Sequence, residues 1–229
     1  MRWFVKGVSD ACKRSGCVLI GGETAEIPGI YRTGCNDLVG AITGIVQESK
    51  LLNPKYTISE GDLVYGIPSD SPHTNGFTLI QKLINDSDKD NDKSYLRYVD
   101  TLCKPHKCYL NDIRSIVKND IKIKGMCHIT GGGYIDNPPR VISDRLEFEF
   151  NYPLIVESMP DWMKWIYDKV IHYGSDQSEV FKTFNCGFGM LVVVDVSEKD
   201  KLESMSEQLG GKFIGTIVKK SKDPFDDIL

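Results

Sequence analysis

Apolar residues fall into two rhythms along the chain. Val5, Val8, Ala11 and Cys12 recur at helical spacing and predict a short helix over residues 5–15. Gly16 is placed to end it, because glycine accepts the left-handed cap conformation. Cys17 to Ile20 then predicts a short buried strand, Asp37 to Gln47 a longer one and Leu63 to Ile67 a third. The apolar run stops at Pro68, a polar loop follows from Ser69 to Gly76, and helical spacing returns over Phe77 to Ile84. Residues 85–94 are dense in charge and predict a solvated loop. Their Asp-x-Asp-x-Asp spacing imitates a calcium loop beginning at Asp86. Asn91 stands in its glycine position and Arg97 in its terminal glutamate position, so calcium is not expected.

The second half repeats these signals. Tyr109 to Val117 predicts a helix, Ile121 to Ile129 a strand that breaks at Gly131-Gly132-Gly133, and Leu146 to Phe150 an alternating strand. Asp161 to Ile171 is amphipathic, with Trp162, Ile166 and Val170 four apart; Trp162 and Trp165 are expected in the core and His172 on the surface. Met190 to Val196 predicts a strand. Ser197 is placed to cap a helix running through Leu209, with Asp200 in the capping-box position, and Gly210-Gly211 end it before a last strand, Lys212 to Lys219. The expected class is α+β: a mixed, largely antiparallel sheet with helices on one side. Asn53-Pro54 and the polar stretch Thr57 to Asp62 suggest a boundary near residues 50–60, giving domains of 1–50 and 51–229.

Charge and cysteine content narrow the classes. The formal net charge is −4 with no basic stripe, so nucleic acid is not an expected partner. No apolar run approaches the ~20 residues a membrane helix needs, and residues 1–7 lack the apolar stretch of a secretory signal. Seven cysteines lie scattered without Cys-x-x-Cys pairs and read as reduced thiols of a cytoplasmic protein.

Three glycine-bearing turns carry the candidate chemistry. In Gly21-Gly22-Glu23-Thr24, paired glycines let a backbone approach a ligand closely, and Glu23 could hold Mg²⁺ or position a proton. In the second, Ser69 to Gly76, His73, Thr74, Asn75 and Gly76 lead into a helix N-terminus, which favours a phosphate. Ordinary capping by Thr74 or Asn75 is the plainer reading of that turn. A histidine there could move protons near neutral pH. In His128-Ile129-Thr130-Gly131-Gly132-Gly133, three successive glycines point to close backbone approach beside a second histidine. Cys186, in Thr183 to Met190, reads as packing rather than as a nucleophile, since no base adjoins it.

Together the segments GCVLIGGETAEIPGIY (16–31), GIPSDSPHTNGFTLI (66–80), HITGGGYIDNPPRVI (128–142) and TFNCGFGM (183–190) resemble the phosphoribosylformylglycinamidine cyclo-ligase (aminoimidazole ribonucleotide synthetase) family, in the family's order and over essentially the whole chain. The resemblance implies conversion of formylglycinamidine ribonucleotide and ATP to aminoimidazole ribonucleotide, ADP and phosphate, with Mg²⁺. It implies proton-transfer or phosphate-contact roles for His73 and His128, and phosphate contacts for Thr74, Asn75, Gly76, Thr130, Gly131, Gly132 and Gly133. Gly21, Gly22, Glu23 and Thr24 would lie near ATP, with Glu23 also a catalytic and metal candidate. It further implies a homodimer or a separate N-terminal polypeptide as partner.

Two departures stand out. The family carries a longer N-terminal region before the first of these segments, so residues 1–50 are expected to be a remnant of an N-terminal ATP-binding domain. The family commonly has Pro-Thr-Arg-Ile-Tyr where this chain has Pro105-His106-Lys107-Cys108-Tyr109, and Lys107 keeps the charge without arginine's planar fork. The alternative expectation is a truncated, non-catalytic homologue that binds a phosphorylated ligand or a partner chain.

Overall fold

The computed structural model describes residues 2–27, 29–32 and 34–221. The chain divides into two compact units, Met1–Leu51 and Leu52–Leu229.

In the first unit, helix α1 (Arg2–Ser15) ends at Gly16 with φ 70°, and the Cys17 N–H closes the last turn on the Cys12 carbonyl at 2.9 Å. None of its residues is buried, so the apolar face predicted for it meets no core. Apart from an isolated bridge at Tyr31, the described residues from 17 to 47 form no ladder. The strands expected at Cys17 to Ile20 and Asp37 to Gln47 are therefore not observed: Ile20 is 95% exposed and Val39 89%. Their apolar pattern suits burial in a sheet, but a strand is made by its partners, and these segments have none among the described residues.

The second unit holds the rest: α2 (Pro54–Thr57), β1 (Leu63–Pro68), α3 (Phe77–Lys89), α4 (Val99–Leu102), α5 (Leu110–Lys118), β2 (Ile123–His128), α6 (Gly133–Asp136), β3 (Leu146–Phe150), α7 (Tyr152–Ser158), α8 (Asp161–His172), α9 (Ser178–Thr183), β4 (Phe188–Val194), α10 (Lys199–Ser204), α11 (Ser206–Leu209) and β5 (Lys212–Lys219). Its five strands form one sheet in the order β2-β4-β1-β5-β3, and every pairing is antiparallel.

Alternation along the central strands sends side chains into two cores, which corrects the expectation of helices on one face only. Val64, Leu191 and Val193 join Trp162, Met163, Ile166 and Phe184 on one face. Tyr65, Ile67, Val192 and Val194 join Ile116, Leu202 and Leu209 on the other. With both faces covered, β4 reads as an unbroken apolar run rather than an alternating one.

Three local expectations also shift. Helix α3 continues through Lys89, into the stretch expected to be solvated, with Ser87 buried. That stretch docks on α8: the Trp165 indole N–H donates to Ser94 Oγ at 3.0 Å, Lys169 pairs with Asp92 at 2.5 Å, and the Tyr173 hydroxyl donates to Asp90 at 2.9 Å. Strand β4 begins at Phe188, and Asp195 rather than Ser197 makes the following cap, accepting from the Ser197 N–H at 3.0 Å. A buried charge ties the far end of the sheet together. Lys124 of β2 pairs with the buried Asp62 at 2.6 Å and with Asp195 at 3.1 Å.

Candidate functional site

Strand β4 lies between β1 and β2 and runs antiparallel to both, so their C-terminal ends arrive together beside its start. Pro68 pairs with Phe188 and His128 with Met190. The loop after β1, the loop after β2 and the loop before β4 therefore meet at one end of the sheet. These hold two of the three glycine turns and the Thr183 to Met190 segment.

Asn185 joins them. Its side-chain oxygen accepts from Ser69 Oγ and from the Gly187 N–H, each at 2.9 Å, its amide donates to the Ser71 carbonyl at 3.1 Å, and its own carbonyl accepts from the Tyr134 hydroxyl at 3.2 Å. Asn137 does the same for the β2 loop, its side-chain oxygen accepting from the Thr130 N–H at 2.7 Å. The Asn75 amide donates to the Thr183 carbonyl. Buried polar groups held in this way fix loop geometry that apolar contacts alone would leave loose.

The glycines in these loops answer to space. Gly76 has φ 76°, and a Cβ there would enter the ring of Phe184; Gly133 has φ 54°, and a Cβ would strike the Phe181 carbonyl. Gly76 occupies the cap position of α3 with no side-chain capping bond, so neither Thr74 nor Asn75 caps this helix. Thr74, at φ 55°, instead donates its hydroxyl to the His73 carbonyl at 2.7 Å. The first-turn N–H groups of α3 have no partner within the helix. Thr74 and Gly131 are exposed, and Asn75, Gly76, Thr130 and Gly132 half-buried.

His73 is buried at the centre. Its Nδ1 lies 2.8 Å from the Ile129 carbonyl and its Nε2 3.0 Å from the Tyr109 hydroxyl. The carbonyl can only accept, so Nδ1 carries the proton and Nε2 accepts from tyrosine. His106 and His128 close around it, with ring centres 4.0 and 4.9 Å from His73 and 5.1 Å from each other. Lys107 donates to the Pro68 carbonyl at 3.0 Å and pairs with Asp112 at 3.2 Å.

Burial is the main cause that lowers His73 to about 4; the neighbouring His106, His128 and Lys107 add to it, and the Ile129 carbonyl opposes it. His73 is thus neutral near pH 7. His106 is lowered by burial and then by His128, and His128 by burial. Burial raises the Cys186 thiol far above its ordinary range, which agrees with a packing role.

The remaining expected residues lie elsewhere. Gly21, Gly22, Glu23 and Thr24 belong to the first unit and are exposed, and a Cβ on either glycine would meet nothing within 4 Å. Glu23 is not part of a metal-ligand grouping among the described residues. A hollow of about 550 Å³ lined by Tyr152, Val156, Tyr167, Asp176 and Phe181 is mostly apolar and carries a carboxylate, a poor host for phosphate. His106, Tyr109, Asn137 and Asn185 were not singled out by sequence. A histidine in a chain with only four, an asparagine before two prolines at Asn137 and one between Phe184 and Cys186 at Asn185 were the signals available.

Over residues 59–226 the chain matches the family described as AIR synthase related protein, C-terminal domain. Proteins named phosphoribosylformylglycinamidine cyclo-ligase resemble it over most of its length. The one from Thermoanaerobacter pseudethanolicus is 37% identical over 223 residues, covering 93% of this chain and 63% of the relative. That of Alkaliphilus metalliredigens is 38% identical over 232 residues, covering 96% and 63%. That of Burkholderia cenocepacia is 39% identical over 201 residues, covering 86% and 54%. The chain thus spans 54–63% of the length of these relatives. The matched residues take in all five strands and the three loops that meet beside β4, and the chain belongs to the AIR synthase related proteins, whose C-terminal domain it carries.

Proposed function

We propose that the chain acts in the ATP-dependent closure of formylglycinamidine ribonucleotide to aminoimidazole ribonucleotide, in purine biosynthesis in the cytoplasm. The observation that carries this reading is the meeting of the His73-to-Gly76 and His128-to-Gly133 turns beside the start of β4. In that reaction the amide oxygen of the substrate takes the phosphoryl group of ATP, a substrate nitrogen attacks the activated carbon, and the oxygen leaves as phosphate. The first turn of α3 and the exposed Thr74 and Gly131 supply donors for the substrate's ribose phosphate. Asn75 Oδ1 is a buried acceptor without a partner, and an amidine N–H is a donor of the kind it lacks. His128, which is exposed, would take a proton as the ring closes. His73 orients rather than titrates, presenting a neutral ring.

The nucleotide side of the reading rests on Gly21 to Thr24 and on residues 1–50 as part of an ATP-binding domain. Glu23 alone does not make a magnesium site, which needs several oxygen ligands, so no step here runs through the ion. Exposed Ile20, Val39, Ile42 and Ile45 support association with a second copy or with a separate polypeptide.

The test is ADP release that depends on formylglycinamidine ribonucleotide, from the chain alone and with a supplied N-terminal region. Activity lost in His128→Ala supports the reading. Tight binding of the ribonucleotide with no ADP under either condition would leave a non-catalytic phosphate-binding protein instead.

A further inference from the structure

We propose that His73, His106 and His128 form a binding site for a transition-metal dication of the zinc type. Each ring offers one nitrogen, and the three nitrogens lie within 4.8 Å of one another. A four-coordinate ion with metal–nitrogen bonds of about 2.0–2.1 Å holds its ligand atoms roughly 3.3–3.4 Å apart. The three nitrogens therefore need to close by at most about 1.5 Å, and His128 is the exposed member of the cluster.

Three features separate this cluster from a chance meeting of aromatic rings. His73 donates Nδ1–H to a backbone carbonyl, the arrangement that fixes a histidine's tautomer and leaves Nε2 to ligate. The Tyr109 hydroxyl now on that nitrogen has a second acceptor within reach, the Pro68 carbonyl at 3.4 Å, to which it can turn. His106 Nε2 is buried and has no hydrogen-bond partner. A buried nitrogen left in this way calls for a ligand, and a cation coordinated by its lone pair supplies one. His128 keeps the cluster open on one side, giving an ion a path in and leaving room for a water as fourth ligand.

The donors also select the metal. Three imidazoles suit zinc, copper, nickel or cobalt, while magnesium and calcium prefer oxygen. Asp70 is near enough to His106 to act on its charge and offers a carboxylate to balance the ion, and Lys107 is already paired with Asp112. The inference does not depend on the cyclo-ligase reading, since it concerns ligand geometry alone. If both hold, a bound ion occupies the imidazoles that face the substrate, and zinc inhibits the reaction.

The test uses the full chain, stripped with a chelator and titrated with Co²⁺. One equivalent should give the intense visible bands of a four- or five-coordinate ion without a thiolate charge-transfer band, and Zn²⁺ should displace it. His106→Gln should weaken binding at least about tenfold. His172→Gln, which changes the one histidine outside the cluster, should leave it unchanged. In the unaltered chain, Zn²⁺ should shift the imidazole NMR signals of three histidines and spare the fourth, a readout that requires no variant to fold. No binding, binding through cysteine thiolates, or affinity indifferent to His106→Gln overturns the proposal. The cobalt spectrum and the ADP assay are separate measurements, so failure of one leaves the other standing.

Discussion

The imidazole of His73 occupies the space that a side chain at residue 189 would need: a Cβ built on Gly189 would overlap His73 Cε1 and crowd the Tyr109 hydroxyl. Gly189 is the second residue of β4, so the strand's lack of a side chain there is what lets the histidine lie against the sheet. Gly189→Ala should therefore destabilise the chain by about 1–3 kcal/mol through overpacking. It should also break the Tyr109–His73 bond. Urea unfolding together with the His73 ring signals checks both, and an unchanged midpoint with unchanged signals would rule the relationship out.

Stability should rise with pH between about 4 and 6.5. His73 takes up its proton near 6.5 when unfolded and only near 4 when folded, so within that window the unfolded chain binds more protons. The contribution is fully present above the unfolded value, is lost as pH falls through the window and then levels off. Its size should be at most about 3 kcal/mol, since His73 is buried and one pKa unit is worth about 1.4 kcal/mol. His106 and His128 are lowered too and act in the same direction. Urea midpoints across the window should show a shallower slope in His73→Gln, which keeps a donor for Ile129 and an acceptor for Tyr109. An equal slope would assign the effect to other groups.

Lys124→Met should cost about 3 kcal/mol, because it leaves the buried Asp62 carboxylate without its cation. Among the described residues, Asp62 then keeps the Ser59 N–H at 2.8 Å as its hydrogen-bond donor. Asp195→Asn should cost much less, since that carboxylate is about half exposed, against 3% for Asp62, and has the Ser197 cap to hold it. Reversal of that order in thermal melts would contradict the assignment of Asp62 as the dependent partner.

The first unit should drive association. Changing Ile20 and Ile45 to Asp should lower the apparent mass in concentrated solution while leaving the melting of the second unit in place. Sedimentation velocity over a range of concentrations measures this. A monodisperse monomer before the change would remove the argument.

What could be read in advance depended on whether a residue's role was local. Gly16 and Gly210 end their helices at φ 70° and 66° because a left-handed cap is a property of one position and its neighbours. The β4 strand was visible from its apolar run, although its start lay two residues earlier than the pattern marked. The pairings were not visible. Cys17 to Ile20 has as strong a strand signal as Ile123 to His128, yet among the described residues only the latter has a strand neighbour. His73 and His128 stood out because glycines and hydroxyls flank them. His106 did not, because its significance comes from two rings brought in from other loops. Asn185 was hidden in the same way, with bonds that reach Ser69, Ser71, Gly187 and Tyr134.

Because β4 lies between β1 and β2, the order of synthesis constrains when the histidines can meet. A chain emerging from the ribosome makes β1 and β2 first, and they have no direct pairing with each other. His73 and His128 are then held by separate pieces of unfinished sheet. Only after residues 188–194 emerge and insert does the Ile129 N–H find the Gly189 carbonyl at 2.9 Å and draw the β2 loop toward the His73 ring. Closing such distant pairings late makes the histidine pocket among the last parts of the domain to form.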